Sequence, residues 1–402
     1  MTGNTAKIPL LGNPVYPIMI MMGICHLFND TLQAVIPAMF PILKSETGIS
    51  FTQLGWISFA LNMVASVLQP VVGLVSDRKP RPYALPIGMC FSFVGIAGVA
   101  FFQNYWLILA SVIFLGFGSA IFHPEGSRVS FMAAGAKRGL SQSIYQVGGN
   151  TGQALAPLIS AFVLVPFGQI GAAWFLIVAA IGIFTLSKVS SWYKKQLAME
   201  AKSKNKKSLI SSIPHLTKRQ LGMALTVLLL IIFVRSFYVT NITNFFVFHL
   251  TKNYGMTIQH GQMMIFLFLA VGALGTFFGG PFADRLGKKY VIILSILVPL
   301  PFSLILPHAS LLWMPLLIII IGFFLMLSFS VTVVYAQELV PNRIGLMSGL
   351  TVGLAFGMGA IGAVVIGILM DNVGVATTMT VISLLPFLGL IGFFLPKDEK
   401  IA

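Results

Sequence analysis

Apolar stretches of about 20 residues recur along almost all of this 402-residue chain, and a helix needs roughly that length to cross a bilayer. Segments 17–40, 54–76, 83–102, 107–132, 140–163, 172–193, 222–250, 261–283, 289–307, 312–337, 344–368 and 376–395 each read as one such helix. Composition points the same way: 57% of residues are hydrophobic and 9% are charged, whereas a soluble domain carries roughly 25% charged residues. The expected fold is an all-α polytopic membrane protein of twelve transmembrane helices, with little chain left for a soluble domain. The first long apolar run is a full span with no small-residue cleavage site after a short one, so no cleavable signal is expected.

The formal net charge of +15 invites a nucleic-acid reading, but its distribution argues otherwise. With the N-terminus placed inside, the termini, the even-numbered loops and the adjoining helix ends hold every Lys and Arg except Lys44, Lys252 and Arg235. That is the positive-inside rule, and it makes both termini cytoplasmic. The basicity reports topology, and no nucleic-acid partner is expected. Cys25 and Cys90 both fall inside spans, with neither metal spacing nor a disulfide framework.

A short pattern occurs twice, about half the chain apart. Gly73-Leu-Val-Ser-Asp77-Arg78 follows the second apolar run, and Gly280-Pro-Phe-Ala-Asp284-Arg285 follows the eighth. Arg138, Ser143, Gly148 and Gly152 recur at one constant offset as Arg343, Ser348, Gly353 and Gly357, and Glu125 recurs at nearly that offset as Glu338. These echoes indicate a parallel six-plus-six repeat. Residues 1–193 and 220–402 are then two six-helix bundles, joined by a basic cytoplasmic linker over 194–219 that contains Lys202, Lys204, Lys206 and Lys207. The paired glycines of spans 5 and 11 suit close helix packing or a rocking contact.

Twelve spans, a basic central loop and the doubled Gly-x-x-x-Asp-Arg turn resemble the major facilitator superfamily across the whole chain. The first turn departs from the family pattern, with Lys79-Pro80 where a glycine is usual; the second keeps Gly287. The resemblance implies that Asp77, Arg78, Asp284 and Arg285 form a conformational lock on the cytoplasmic side. Glu338 and Arg343 suit gating there or ordinary interface charge. A narrower likeness lies in Phe122-His123-Pro124-Glu125-Gly126-Ser127-Arg128 together with His26-Leu-Phe-Asn29-Asp30. These strings resemble the fosmidomycin-resistance branch, which implies an inner-membrane exporter of a small phosphonate antibiotic or related organic compound, driven by protons.

Ionisable groups inside a span are costly and usually face a cavity or a partner. Asp30 lies mid-span with His26 one turn before it and Gln33 about one turn after. Span 4 carries His123, Glu125 and Arg128, where Glu125 and Arg128 share a face while His123 points about 160° from Glu125. Either Glu125 or Asp30 can carry a coupling proton, with His26 and His123 as partners. A static Glu125–Arg128 ion pair and a structural His26–Asp30 pair are the plain alternatives. Arg235 offers a fork suited to phosphonate or carboxylate, with Tyr238, Asn241 and Asn244 following at i,i+3 steps. Its alternative is to snorkel to the cytoplasmic interface. Arg128 and Gln33 complete the candidate cargo contacts.

No His-Glu-x-x-His or Gly-x-x-x-x-Gly-Lys-Ser/Thr string occurs, so an intramembrane enzyme or an ATP-driven pump is not expected. Neither a cofactor nor a metal is called for. A channel would want selectivity rings, whereas an internal repeat suits alternating access. The sequence therefore points to a monomeric secondary transporter, exporting by proton antiport or taking up an organic anion with protons.

Overall fold

The computed structural model describes residues 13–78, 80–135, 138–200, 217–340 and 344–396. Among these residues there is no strand, and twelve helical spans are long and apolar enough to cross a membrane: α1 (Tyr16–Ala38), α2 (Phe51–Ser76), α3 (Ala84–Phe101), α4 (Tyr105–Ala133), α5 (Ile144–Phe167), α6 (Gln169–Met199), α7 (Arg219–Tyr254), α8 (Ile258–Ala283), α9 (Lys288–His308), α10 (Met314–Leu339), α11 (Leu350–Val373) and α12 (Val375–Phe394). Each expected span has its counterpart, and the chain is a multi-pass membrane protein.

Polar residues set the helix ends. Asn104 accepts from the amides of Trp106 and Leu107 at the start of α4, Thr257 does the same for His260 at α8, and Thr217 forms a reciprocal capping box with Gln220 before α7. The helix that continues α1 over Phe40–Thr47 stops at Gly48, and α7 stops at Gly255. These glycines hold φ of 69° and 65°, a left-handed end that favours glycine, and each follows a last turn that carries one lysine, Lys44 or Lys252. The two helix ends thus share one pattern, a lysine in the last turn and a left-handed glycine after it.

The first six helices form one bundle and the last six another. In the first, α1 packs on α5, α3 on α4, and α2 on α4; in the second, α8 and α9 pack on α10, and α7 packs on α11 and α12. Across the seam α2 lies along α11 and α5 along α8. Gly148 and Gly152 sit directly against the α1 backbone at Gly23 and Leu27, where any Cβ would collide. Gly353 and Gly357 are looser, with only Ser66 nearby. The tight glycines of the α2–α11 seam are Gly55, against Ala363, and Gly367, against Phe51. The outside of the bundle is a continuous apolar surface, including Phe114, Phe184, Phe277 and Leu274. Exposed Trp106, Trp174 and Trp313 stand at helix starts on one end of the molecule, as an aromatic belt requires.

That end, remote from the 200–217 connection, is the far end of the molecule; the other is the linker end. The side chains of Asp77, Arg78 and Asp284, and all of Arg343, lie outside the described residues. Arg285 is exposed in the last turn of the helix that continues α8 to Leu286, a favourable place for a cation. Glu338 pairs with Lys288 at 2.9 Å, a contact inside the second bundle rather than across the seam.

Candidate functional site

Three polar side chains meet inside the first bundle. Helix periodicity puts His26 and Asp30 on one face of α1, and α4 brings His123 to the same point. His26 Nε2 and His123 Nε2 lie 3.4 Å and 3.3 Å from the same Asp30 Oδ1. Asn29 also donates to that oxygen at 3.0 Å, while Gln153 of α5 donates to Oδ2 at 2.9 Å. Asp30 is 4% exposed and the His123 side chain 23%, and Gln153 is half-buried, so the cluster meets its surroundings through His123 and Gln153.

The backbone fixes the protons on both imidazoles. His26 Nδ1 donates to the carbonyl of Tyr145 at 2.7 Å, and His123 Nδ1 donates to the carbonyl of Ser119 at 3.0 Å. A carbonyl only accepts, so each Nδ1 carries hydrogen and each neutral ring turns its Nε2 lone pair toward Asp30. Two lone pairs aimed at one carboxylate oxygen repel it. The arrangement is satisfied only when at least one further proton occupies the cluster, as N–H on a ring or O–H on the acid. Packing holds this geometry. The His26 ring stacks on Tyr145 at 4.0 Å and meets His123 edge-on at 5.2 Å. Gly149 leaves the necessary room, because a Cβ there would stand 2.6 Å from His26 Nε2 and 3.0 Å from Asp30 Oδ2.

The same atoms form the one group among the described residues with metal-ligand spacing, all within 4.8 Å of one another. Carbonyl-held imidazoles are common behind metals, and a proton satisfies the same lone pairs.

Glu125, the other proposed proton carrier, sits apart. It is fully buried, accepts from Tyr193 of α6 at 3.3 Å, and its Oε1 has no hydrogen-bond partner. Arg128 turns to α2 instead and donates to the Ser76 carbonyl at 2.7 Å. Gln33 bonds the Asn29 carbonyl rather than Asp30.

Arg235 is the second buried charge, 3% exposed in α7. It does not snorkel. Its guanidinium donates to Ser328 at 3.3 Å and Thr332 at 3.4 Å on α10, and lies 5.0 Å from the Phe329 ring. Among the described residues it makes no ion pair. Tyr238 is buried one turn on. Asn241 and Asn244 diverge from it: they enter a π-helical turn over Asn241–Phe245, where Asn241 contacts Met379 and Asn244 donates to Ser58 of the first bundle at 2.9 Å. Three successive i,i+3 steps already drift by about 180° round an α-helix, and the π turn adds to that divergence.

The sequence reading missed Gln153, Asn29, Gly149 and Tyr145 at the Asp30 cluster, and did not join His123 to Asp30. It also missed Asp371, an acid just past the expected eleventh span, at the end of the molecule that also carries Lys44 and Lys252.

Comparison with known proteins follows the fold. Residues 22–352 match the family model described as Major Facilitator Superfamily. The chain is 55% identical to the uncharacterized MFS-type transporter YfnC of Bacillus subtilis (strain 168), covering 97% of this chain and 95% of that one. It is 43% identical to the fosmidomycin resistance protein of Escherichia coli (strain K12), over 94% and 92% of the two chains. Among solved structures it resembles a D-xylose-proton symporter with a TM-score of 0.74 at 16% identity, covering 95% and 97%. The nucleoside transporter NupG gives 0.71 at 14%, covering 94% and 99%.

Proposed function

The chain belongs to the Major Facilitator Superfamily, and from that premise we propose that it is a monomeric proton-coupled antiporter exporting a small anionic organic compound. Its place would be the inner membrane, with both termini cytoplasmic, as the lysine and arginine distribution favours. Transport proceeds by alternating access, the two bundles rocking about a site between them.

One observation carries the coupling: two imidazoles with carbonyl-fixed Nδ1–H face one carboxylate oxygen. This cluster needs a proton to be stable. A change of exposure that opens His123 to the other side would let that proton leave. Asp30 holds the charge, His26 and His123 share the proton, and Asn29 and Gln153 hold the carboxylate in place. Arg235, with the hydroxyls of Ser328 and Thr332, supports the anionic cargo: a buried guanidinium with no carboxylate partner among the described residues gains most from an incoming oxyanion. The likeness to a fosmidomycin resistance protein makes a phosphonate the first cargo to try. Asp77, Arg78, Asp284, Arg285, Glu338 and Arg343 remain candidates for the linker-end lock.

Purified protein in proteoliposomes tests this reading. Adding fosmidomycin should move protons in the direction opposite to cargo. Protons moving with the cargo would make the protein a symporter, and cargo flux with no proton movement would remove the coupling altogether.

A further inference from the structure

The far end of the seam is closed by a contact in which one bundle finishes a helix of the other. The α2 helix begins at Phe51, and its first amides need acceptors. Ser50 supplies only part of the cap: its Oγ accepts from the Gln53 amide at 3.1 Å, while Gln53 Oε1 accepts from the Ser50 amide at 2.8 Å. The Phe51 and Thr52 amides donate instead to the carboxylate of Asp371, at 3.1 Å and 2.8 Å, and Thr52 Oγ1 adds a third bond at 2.6 Å. Asp371 belongs to α11, in the opposite bundle.

Charge surrounds the same contact. Lys44 of the first bundle and Lys252 of the second lie 4.1 Å and 5.3 Å from the centre of the one Phe51 ring. Burial pushes the Lys44 ammonium below its ordinary value; the Asp371 carboxylate opposes that shift and Lys252 adds to it. Two like charges from opposite bundles are therefore held together beside one carboxylate. Other seam bonds are Gln262 to the Ala38 carbonyl at 2.7 Å and Asn244 to Ser58 at 2.9 Å in the far half, and Ser66 to the Gly353 carbonyl at 2.6 Å in the linker half.

We infer that Asp371 is the positioning residue of the transport cycle at the far end: a latch that holds the gate shut by capping α2 across the seam and by offsetting the Lys44–Lys252 repulsion. The bond exists only while the bundles touch at this end, so it stabilises the far-closed state and not the far-open one. When it breaks, water can satisfy the α2 amides, because Asp371 is exposed. That makes the latch reversible. It depends on contacts the coupling site does not share, so it stands whether or not Asp30 carries the proton.

Spin labels on exposed Ser45 and Gln259, in full-length protein lacking Cys25 and Cys90 and reconstituted in lipid, report the far-end width. Asp371→Ala should raise the open-to-closed ratio by about five- to thirty-fold, the size expected when a helix cap is lost. Asp371→Glu should keep most of the closed population. Adding Lys44→Gln and Lys252→Gln to Asp371→Ala should draw the distribution back toward closed. Thr52→Val, which removes one bond and spares the fold, should move the ratio in the same direction by less. A distance distribution unchanged in Asp371→Ala, or, should that variant not fold, in Thr52→Val, overturns the latch, even if thermal stability falls.

Discussion

The two bundles bury charge in the same pair of helices and choose opposite chemistry. In the first, α1 and α4 bring together a carboxylate and two imidazoles. In the second, the corresponding α7 and α10 bring together a guanidinium and two hydroxyls. Carboxylate and imidazole exchange protons at physiological pH when their surroundings change, whereas a guanidinium does not deprotonate in proteins. On the function proposed above, the first bundle handles the proton and the second the anion. The surroundings differ too. Backbone carbonyls hold both imidazoles that face Asp30, and the amides of Asn29 and Gln153 donate to it. Among the described residues Arg235 meets long bonds to hydroxyls and an aromatic face. The first site contains an acid among its own residues, and the second has no acidic partner for Arg235 among the described residues.

The largest test of that division removes both rings of the first site. His26→Gln with His123→Gln should lower gradient-driven transport by about a hundredfold, the scale at which a required proton carrier is lost. Cargo binding should persist, as read by thermal shift with fosmidomycin. Next in size, Arg235→Ala should weaken an anionic cargo roughly ten- to hundredfold, the worth of charge-assisted bonds at about 1.5–3 kcal/mol. A neutral analogue should lose far less, and equal losses would merge the two sites into one. Gly149→Ala should push the His26 ring off Asp30 at a cost of about 1–3 kcal/mol. It should shift the pH profile of transport, which an equally bulky change at the lipid-facing surface should not. Smallest is Glu125→Gln. Because Glu125 bonds Tyr193 and no member of the Asp30 cluster, coupling should persist in this variant. A complete loss of coupling in that variant would transfer the proton-carrying role from Asp30 to Glu125.

The twelve spans were legible because hydropathy and length act locally and leave little choice inside a bilayer. The candidate site was half legible. His26 and Asp30 share a helix face by simple periodicity, and angular reasoning separated His123 from Glu125. Joining His123 to Asp30 required knowing how α1 and α4 cross, and Gln153 required knowing that Gly148, Gly149 and Gly152 let α5 press on α1. Asn241 and Asn244 failed to join Arg235 because each i,i+3 step drifts by about 60° round an α-helix, and the π turn over Asn241–Phe245 shifts the phase further. Asp371 is a long-range cap, joined to Phe51 and Thr52 across most of the chain. No local pattern encodes such a contact.

The most direct measurement compares exchange with accumulation in proteoliposomes carrying Asp30→Asn. If Asp30 and its two imidazoles hold the coupling proton, the variant still exchanges labelled cargo across the membrane at equal pH on both sides. It no longer accumulates cargo against its gradient when a pH difference is imposed. Accumulation at the wild-type level in Asp30→Asn would contradict the account.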